Sequence, residues 1–167
     1  GVATLTLDRP ETLNALDWEL LRALDATLAS CATHPRVRCV VLTGAGERAF
    51  CAGVDLQTGA ELTAASAREW IRLGHRVCNR LATLPQPVLA AIRGHVLGGG
   101  LELALSADLI LCSDNATFAL PEIRSGTVAD AASIKLPKRI PYHVAMDLLL
   151  TGRWFDAEEA YRWGIVK

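Results

Sequence analysis

The chain has 167 residues, 51 % of them hydrophobic and 21 % charged, which is the balance of a globular domain with a real core. A net charge of -1 with no basic run offers no surface for nucleic acid, and no apolar stretch is long enough to cross a bilayer. Five cysteines, an odd number without a C-x-x-C pair, argue against a disulfide framework or a zinc site and for a reducing compartment, which we take as the cytoplasm.

Residues 2–7 alternate polar and apolar and read as a strand, broken by Asp8-Arg9-Pro10. Leu20, Leu21, Leu24 and Leu28 recur at helical spacing behind Asp17, a suitable N-cap. Residues 38–43 contain a buried-strand run, followed by a long glycine-punctuated loop over residues 44–56. Ser66 and Glu69 form a predicted capping box for a helix with Trp70, Leu73, Val77, Leu81 and Leu84 on one face. Residues 88–92 are a second core strand, 94–100 a glycine-rich turn and 101–107 a helix. Strands follow at 109–112 and 116–120, then helices at 142–150 and after Asp156, the last ended by Gly164. Strands and helices alternate, so the fold class is α/β, and residues 1–167 read as one domain. Gly1 enters a strand pattern at once, and Ile165-Val166 reads as the start of another strand. A piece of a longer protein is therefore expected.

Two turns could present backbone N–H groups to a carbonyl oxygen: Ala52-Gly53-Val54, and Gly98-Gly99-Gly100 before a helix. Two carboxylates lie near them. Glu102 falls in the first turn of the helix, among Leu101, Leu103, Ala104 and Leu105, and partial desolvation there would raise its pKa toward a value suited to proton transfer. Glu122 follows Pro121 at a strand end. Taken singly, each feature has a plain structural reading: a tight turn, a dipole partner, a solvated loop acid.

Together they carry a resemblance. Ala49-Phe50-Cys51-Ala52-Gly53-Val54-Asp55-Leu56, then residues 94–104 (Gly-His-Val-Leu-Gly-Gly-Gly-Leu-Glu-Leu-Ala), then Phe118-Ala119-Leu120-Pro121-Glu122-Ile123 resemble the three signature segments of the crotonase (enoyl-CoA hydratase/isomerase) superfamily in order and spacing. Leu7-Asp8-Arg9-Pro10 with Leu13-Asn14-Ala15-Leu16 fits the family's opening segment, and Leu150-Thr151-Gly152-Arg153 with Trp163-Gly164-Ile165-Val166 fits a later one. The resemblance implies a spiral of ββα repeats lacking the family's C-terminal helices. It implies an acyl-CoA thioester as substrate, no separate cofactor, no metal, and a homotrimer or dimer of trimers in the full-length form. Position by position, it implies an oxyanion hole from the Val54 and Gly99 N–H groups. Ala52, Gly53, Val54, Asp55, Leu56, Gln57, Gly98 and Gly99 would bind coenzyme A and substrate. Glu122 would serve the α-carbon and Glu102 the water at the β-carbon. Having both acids points to a hydratase or dehydratase, a carbon–oxygen lyase. Leu136-Pro137-Lys138-Arg139-Ile140-Pro141 resembles carnitinyl-CoA dehydratase-like members.

The sequence departs from the pattern at Ala129-Asp130-Ala131-Ala132-Ser133, where the family carries a proline and a glycine-rich run, and at Gln57, where many members carry Lys. In the family this loop helps shape the acyl pocket, so Asp130 reads either as an exposed loop residue or as an added polar group there. Rival readings are an isomerase or racemase relying on Glu122, and a non-catalytic acyl-CoA-binding or assembly subunit. Gly44-Ala45-Gly46 lacks the third glycine of a dinucleotide fingerprint. The histidines His34, His75, His95 and His143 share no ligand spacing and read as surface or packing residues, and Cys51 reads as a packing residue.

Overall fold

In the computed structural model, which describes residues 1–167, the chain runs β1 (Val2–Leu7), α1 (Trp18–Thr33), β2 (Cys39–Gly44), β3 (Ala49–Cys51), α2 (Leu56–Glu61), α3 (Ala64–Ala82), β4 (Val88–Ile92), β5 (His95–Leu97), α4 (Gly99–Ala104), β6 (Leu109–Cys112), β7 (Thr117–Ala119), α5 (Asp130–Lys135), α6 (Tyr142–Thr151), β8 (Phe155–Asp156) and α7 (Ala157–Arg162). Short 3-10 turns lie at Pro10–Thr12, Pro121–Ser125 and Leu136–Lys138.

The strands divide between two four-stranded sheets, ordered β1-β2-β4-β6 and β3-β5-β7-β8. All pairings are parallel except β7 with β8. Three successive repeats each send their first strand to one sheet and their second to the other, which is the expected spiral of ββα turns. Parallel strands need crossovers, and helices supply them, covering apolar strand faces such as Val40 and Leu42, both fully buried. Thirty-nine buried residues form one contiguous core.

Strands 2–7, 88–92 and 109–112 lie where the hydrophobic pattern predicts them, and Asp17 caps α1 by accepting the Leu20 N–H. Other boundaries differ. Thr63, not Ser66, caps α3: its hydroxyl accepts the Ser66 N–H while the Ser66 hydroxyl accepts the Thr63 N–H, so the box lies three residues earlier. The segments read as loop at 44–56 and as turn at 94–100 contain β3 and β5. Strands of three residues are too short to show a period. Residues 129–133 open α5 rather than forming a loop. Ile165 and Val166 are not a strand: both N–H groups donate to Ala160, closing the end of α7, and both side chains enter the core.

Helices α1 and α3 pack together, and α3 supplies one wall of the cavity described below. Asp25 on α1 accepts from Arg76 (2.8 Å) and Arg80 (2.7 Å) on α3. Burial pushes its carboxyl up, but the two guanidinium groups outweigh this and hold it below the usual carboxylate range. A depressed pKa stabilises the fold above the unfolded pKa, and the contribution is lost as pH falls through the folded one. Asp25→Asn is therefore expected to lower stability by about 1 kcal/mol at neutral pH. Urea unfolding should show that deficit shrinking toward zero as the buffer is acidified through the carboxylate range.

Candidate active site

The site begins with a knot in residues 9–16. Leu13 and Asn14 both adopt left-handed backbone (φ 57° and 56°), a conformation Asn tolerates better than most residues. Asn14 is fully buried. Its amide donates to the Ala45 and Ala49 carbonyls, each at 2.9 Å, and its Oδ1 accepts the Arg9 N–H at 3.0 Å. This places Leu16 alongside residues 53–55. The Leu16 N–H donates to Gly53 O (2.7 Å), and the Asp55 N–H donates to Leu16 O (2.9 Å). In that parallel bridge the N–H of Val54 points away from Leu16.

Asp55 caps α2, accepting from the Gln57 and Thr58 N–H groups at 3.0 and 3.1 Å, and pairs with Arg9 at 3.1 Å. The Thr58 N–H, assisted by Arg9, outweighs burial and holds this carboxyl below its usual range. Asp55 thus fastens the turn carrying Val54.

The second turn meets the first by direct backbone contact. Gly53 has φ +89°, and a Cβ on it would lie 2.9 Å from Leu97 O and 3.3 Å from Gly99 N. A Cβ on Gly100 would collide with the Cys51 backbone. Only glycine permits this approach. The Gly98 N–H is taken by Ala119 O, whereas Gly99 opens α4 and has no helical carbonyl behind its N–H.

Val54 and Gly99 line a cavity of about 200 Å³ together with Glu102 and Glu122. Its walls are largely apolar, among them Leu16, Leu21, Trp70 and Leu103. Glu102 projects from α4, and its Oε1 accepts the Ala132 N–H of α5 at 2.9 Å. Burial raises its pKa, and the charge of Asp130 adds to the rise; the Ala132 N–H opposes it without cancelling it. Glu122 lies in the 3-10 turn after β7. Its Oε1 abuts Gly98, and its Oε2 is buried without a hydrogen bond. Burial raises this pKa too; its own backbone N–H opposes the rise, and the Glu102 charge reinforces it. Two carboxyl groups of elevated pKa in one apolar cavity are suited to giving and taking protons.

Of the residues singled out from sequence, Val54, Gly99, Glu102 and Glu122 converge on the cavity, and Gly98 backs Glu122. Ala52 and Gly53 form the turn behind Val54, and Asp55 faces Arg9. Leu56 is 91 % exposed, and Gln57 bonds Glu61 on the outer face of α2; neither lines the cavity. Cys51 is fully buried with its thiol pushed up to about 12, which suits packing. Sequence reasoning missed the structural role of Asn14. It also missed that His75 and Asp130, each about half exposed, line the cavity as a pair and meet at 2.6 Å. The signal for His75 was its spacing: Ile71, His75 and Cys78 share one face of α3.

Gly98 has φ +50°, and a Cβ there would sit 2.7 Å from Glu122 Oε1. Gly98→Ala should cost about 1–3 kcal/mol. Part of that loss should disappear when Glu122 is also replaced by Ala, because the steric clash is then relieved. A double-mutant cycle by chemical unfolding checks this, and strictly additive losses would contradict the contact.

Residues 1–167 match the family model described as enoyl-CoA hydratase/isomerase. The chain is 45 % identical over 166 residues to the carnitinyl-CoA dehydratase of Proteus mirabilis (strain HI4320), an alignment covering 99 % of this chain and 63 % of that protein. It is 42 % identical over 166 residues to the (E)-benzylidenesuccinyl-CoA hydratase of Thauera aromatica, with 99 % and 64 % covered. Its fold matches the crystal structure of an enoyl-CoA hydratase from Bacillus anthracis with a TM-score of 0.96 at 36 % identity, covering 99 % of this chain and 64 % of that one. The chain thus spans a little under two thirds of the length of these relatives. With a family match along its whole length and the same spiral of ββα turns, the chain belongs to the enoyl-CoA hydratase/isomerase family.

Proposed function

We propose that this chain adds water to, or removes it from, the α,β bond of an acyl-CoA thioester. The observation that carries the reading is the convergence of Glu102, Glu122 and the Val54 and Gly99 turns on one apolar cavity. The Val54 and Gly99 N–H groups would hold the thioester oxygen. For hydration, Glu102 as carboxylate takes a proton from water, and the oxygen of that water bonds to the β-carbon. The electron pair of the double bond moves to the thioester, giving an enolate whose negative oxygen the two N–H groups stabilise. Glu122 as carboxylic acid then delivers a proton to the α-carbon. The enzyme as a whole gains and loses one proton, and exchange between the two acids restores the starting state. Dehydration is the same path reversed.

The raised pKa of both acids supports the reading, since one must be protonated and the other ionised at working pH. Leu56 and Gln57 lie on the outer face near Val54, where they would form the rim along which coenzyme A lies, with Ala52, Gly53, Asp55 and Gly98 shaping the backbone beneath. The names of the relatives, a carnitinyl-CoA dehydratase and an (E)-benzylidenesuccinyl-CoA hydratase, support the reaction type, while their acyl groups differ. The same reading carries assembly of the full-length protein in the cytoplasm as a homotrimer or a dimer of trimers, supported by exposed apolar side chains such as Ile134 and Leu150. Sedimentation equilibrium of the full-length protein returning only monomer would count against that assembly.

Incubation with crotonyl-CoA in ¹⁸O-labelled water tests the reaction. Loss of enoyl absorbance should accompany label at the β-carbon, and Glu102→Gln and Glu122→Gln should each lower kcat by about a hundredfold or more. The pH–rate profile should be bell-shaped, with the acid limb above the usual carboxylate range, because ionisation of Glu102 is opposed by burial. A profile flat through the acid range, or full activity in either variant, would refute the assignment.

A further inference from the structure

Glu102 is held from outside its own helix. Its Oε1 accepts the Ala132 N–H from α5, so the position of α5 decides where the carboxylate sits. The first residues of α5 have no side-chain cap: Ala129 occupies the N-cap position and offers none. Asp130, the first residue of the helix, turns across the cavity mouth to His75 on α3, with Nε2 and Oδ2 2.6 Å apart. Ile71, Gly74, His75 and Cys78 from α3 and Val128, Asp130 and Ala131 from the opposite lip line the same cavity as Glu102. The pair therefore spans the gap between the two lips, two residues along the chain from the N–H that binds Glu102.

Resting on the catalytic role of Glu102 given above, we propose that His75 and Asp130 form a positioning pair that clamps α5 to α3 and so keeps the Ala132 N–H on the Glu102 carboxylate. Both side chains are about half exposed, at 50 % and 49 %. An exposed pair of this kind adds little to stability, so its effect lies in placement rather than in holding the fold together. A small displacement of a proton-transfer group is costly to rate, which gives the clamp a catalytic consequence without any contact to substrate.

Charge gives the pair a signature. The titratable groups facing Glu102 are Glu122 from the turn after β7, Asp130 from α5, and His75 and Cys78 from α3. Burial pushes the Cys78 thiol up to about 11, so it stays neutral. Asp130 raises the Glu102 pKa and His75 lowers it. The Ala132 N–H weighs more on Glu102 than the Asp130 charge does, so releasing the clamp by removing either partner should move Glu102 up, whereas loss of the Asp130 charge alone would move it down.

The test is a titration of the protein labelled with ¹³C at the glutamate side-chain carboxyls, with Glu102 assigned by its disappearance in Glu102→Gln. His75→Ala and Asp130→Ala should each shift the Glu102 midpoint up, because each releases the Ala132 N–H from the carboxylate. Far-ultraviolet circular dichroism checks the folding of both variants. Turnover of crotonyl-CoA by the same samples should fall about tenfold to a hundredfold in kcat, with KM little changed. An unchanged Glu102 midpoint in both variants, or a downward shift in Asp130→Ala, overturns the proposal, even if the wild-type protein hydrates crotonyl-CoA normally. Upward shifts in both variants of a protein that turns over no enoyl-CoA would sustain the pair and overturn the hydratase reading instead.

Discussion

Much of this structure depends on one close approach: the backbone at Gly53 against the backbone at Gly99, with Gly100 pressed on Cys51. A side chain at 53 or 100 would push two turns of the spiral apart. Because none is there, a turn after β3 and a helix start after β5 lie side by side, and two N–H groups that secondary structure leaves without carbonyl partners come together. Two backbone donors left without carbonyl partners at one cavity are free to bind a ligand's oxygen, and the proposed function assigns them a thioester carbonyl. The remaining ties serve that contact. Asn14 seats Leu16, Leu16 bridges to the 53–55 turn, and Arg9 with Asp55 fastens its far end.

The second constraint is electrostatic. Glu102 and Glu122 sit in a small apolar cavity with no Lys or Arg among the residues that line it. Burial raises the pKa of both acids, and the charge of Glu102 raises that of Glu122 further. They are supported unequally. Glu102 has a backbone donor from α5, whereas one oxygen of Glu122 has none, and that asymmetry favours ionisation of Glu102 and protonation of Glu122. The proposed hydration assigns the two acids in that way.

The sequence made the long apolar strands, the cap at Asp17 and the four central site residues legible, because each has a local cause: hydrophobic period, capping chemistry, or a glycine beside an acid. It hid β3 and β5, whose three residues carry no measurable period, and α2, which a side-chain cap at Asp55 rather than an apolar face defines. His75 and Asp130 stayed hidden for another reason. They are 55 positions apart, and neither carries a mark of its partner. The segment 129–133 reads as a loop from its place in the family pattern, yet its lack of glycine and proline suits it to open a helix that offers the Ala132 N–H to Glu102.

The central claim is that Val54 and Gly99 together polarise a thioester carbonyl. Difference infrared spectroscopy of an enoyl-CoA bound to the protein, with the thioester carbonyl labelled with ¹³C, tests it most directly. The account predicts that the labelled carbonyl stretch moves to lower frequency on binding, as two hydrogen bonds lengthen the C=O bond. A bound thioester whose carbonyl band stays where it lies in water would contradict the account.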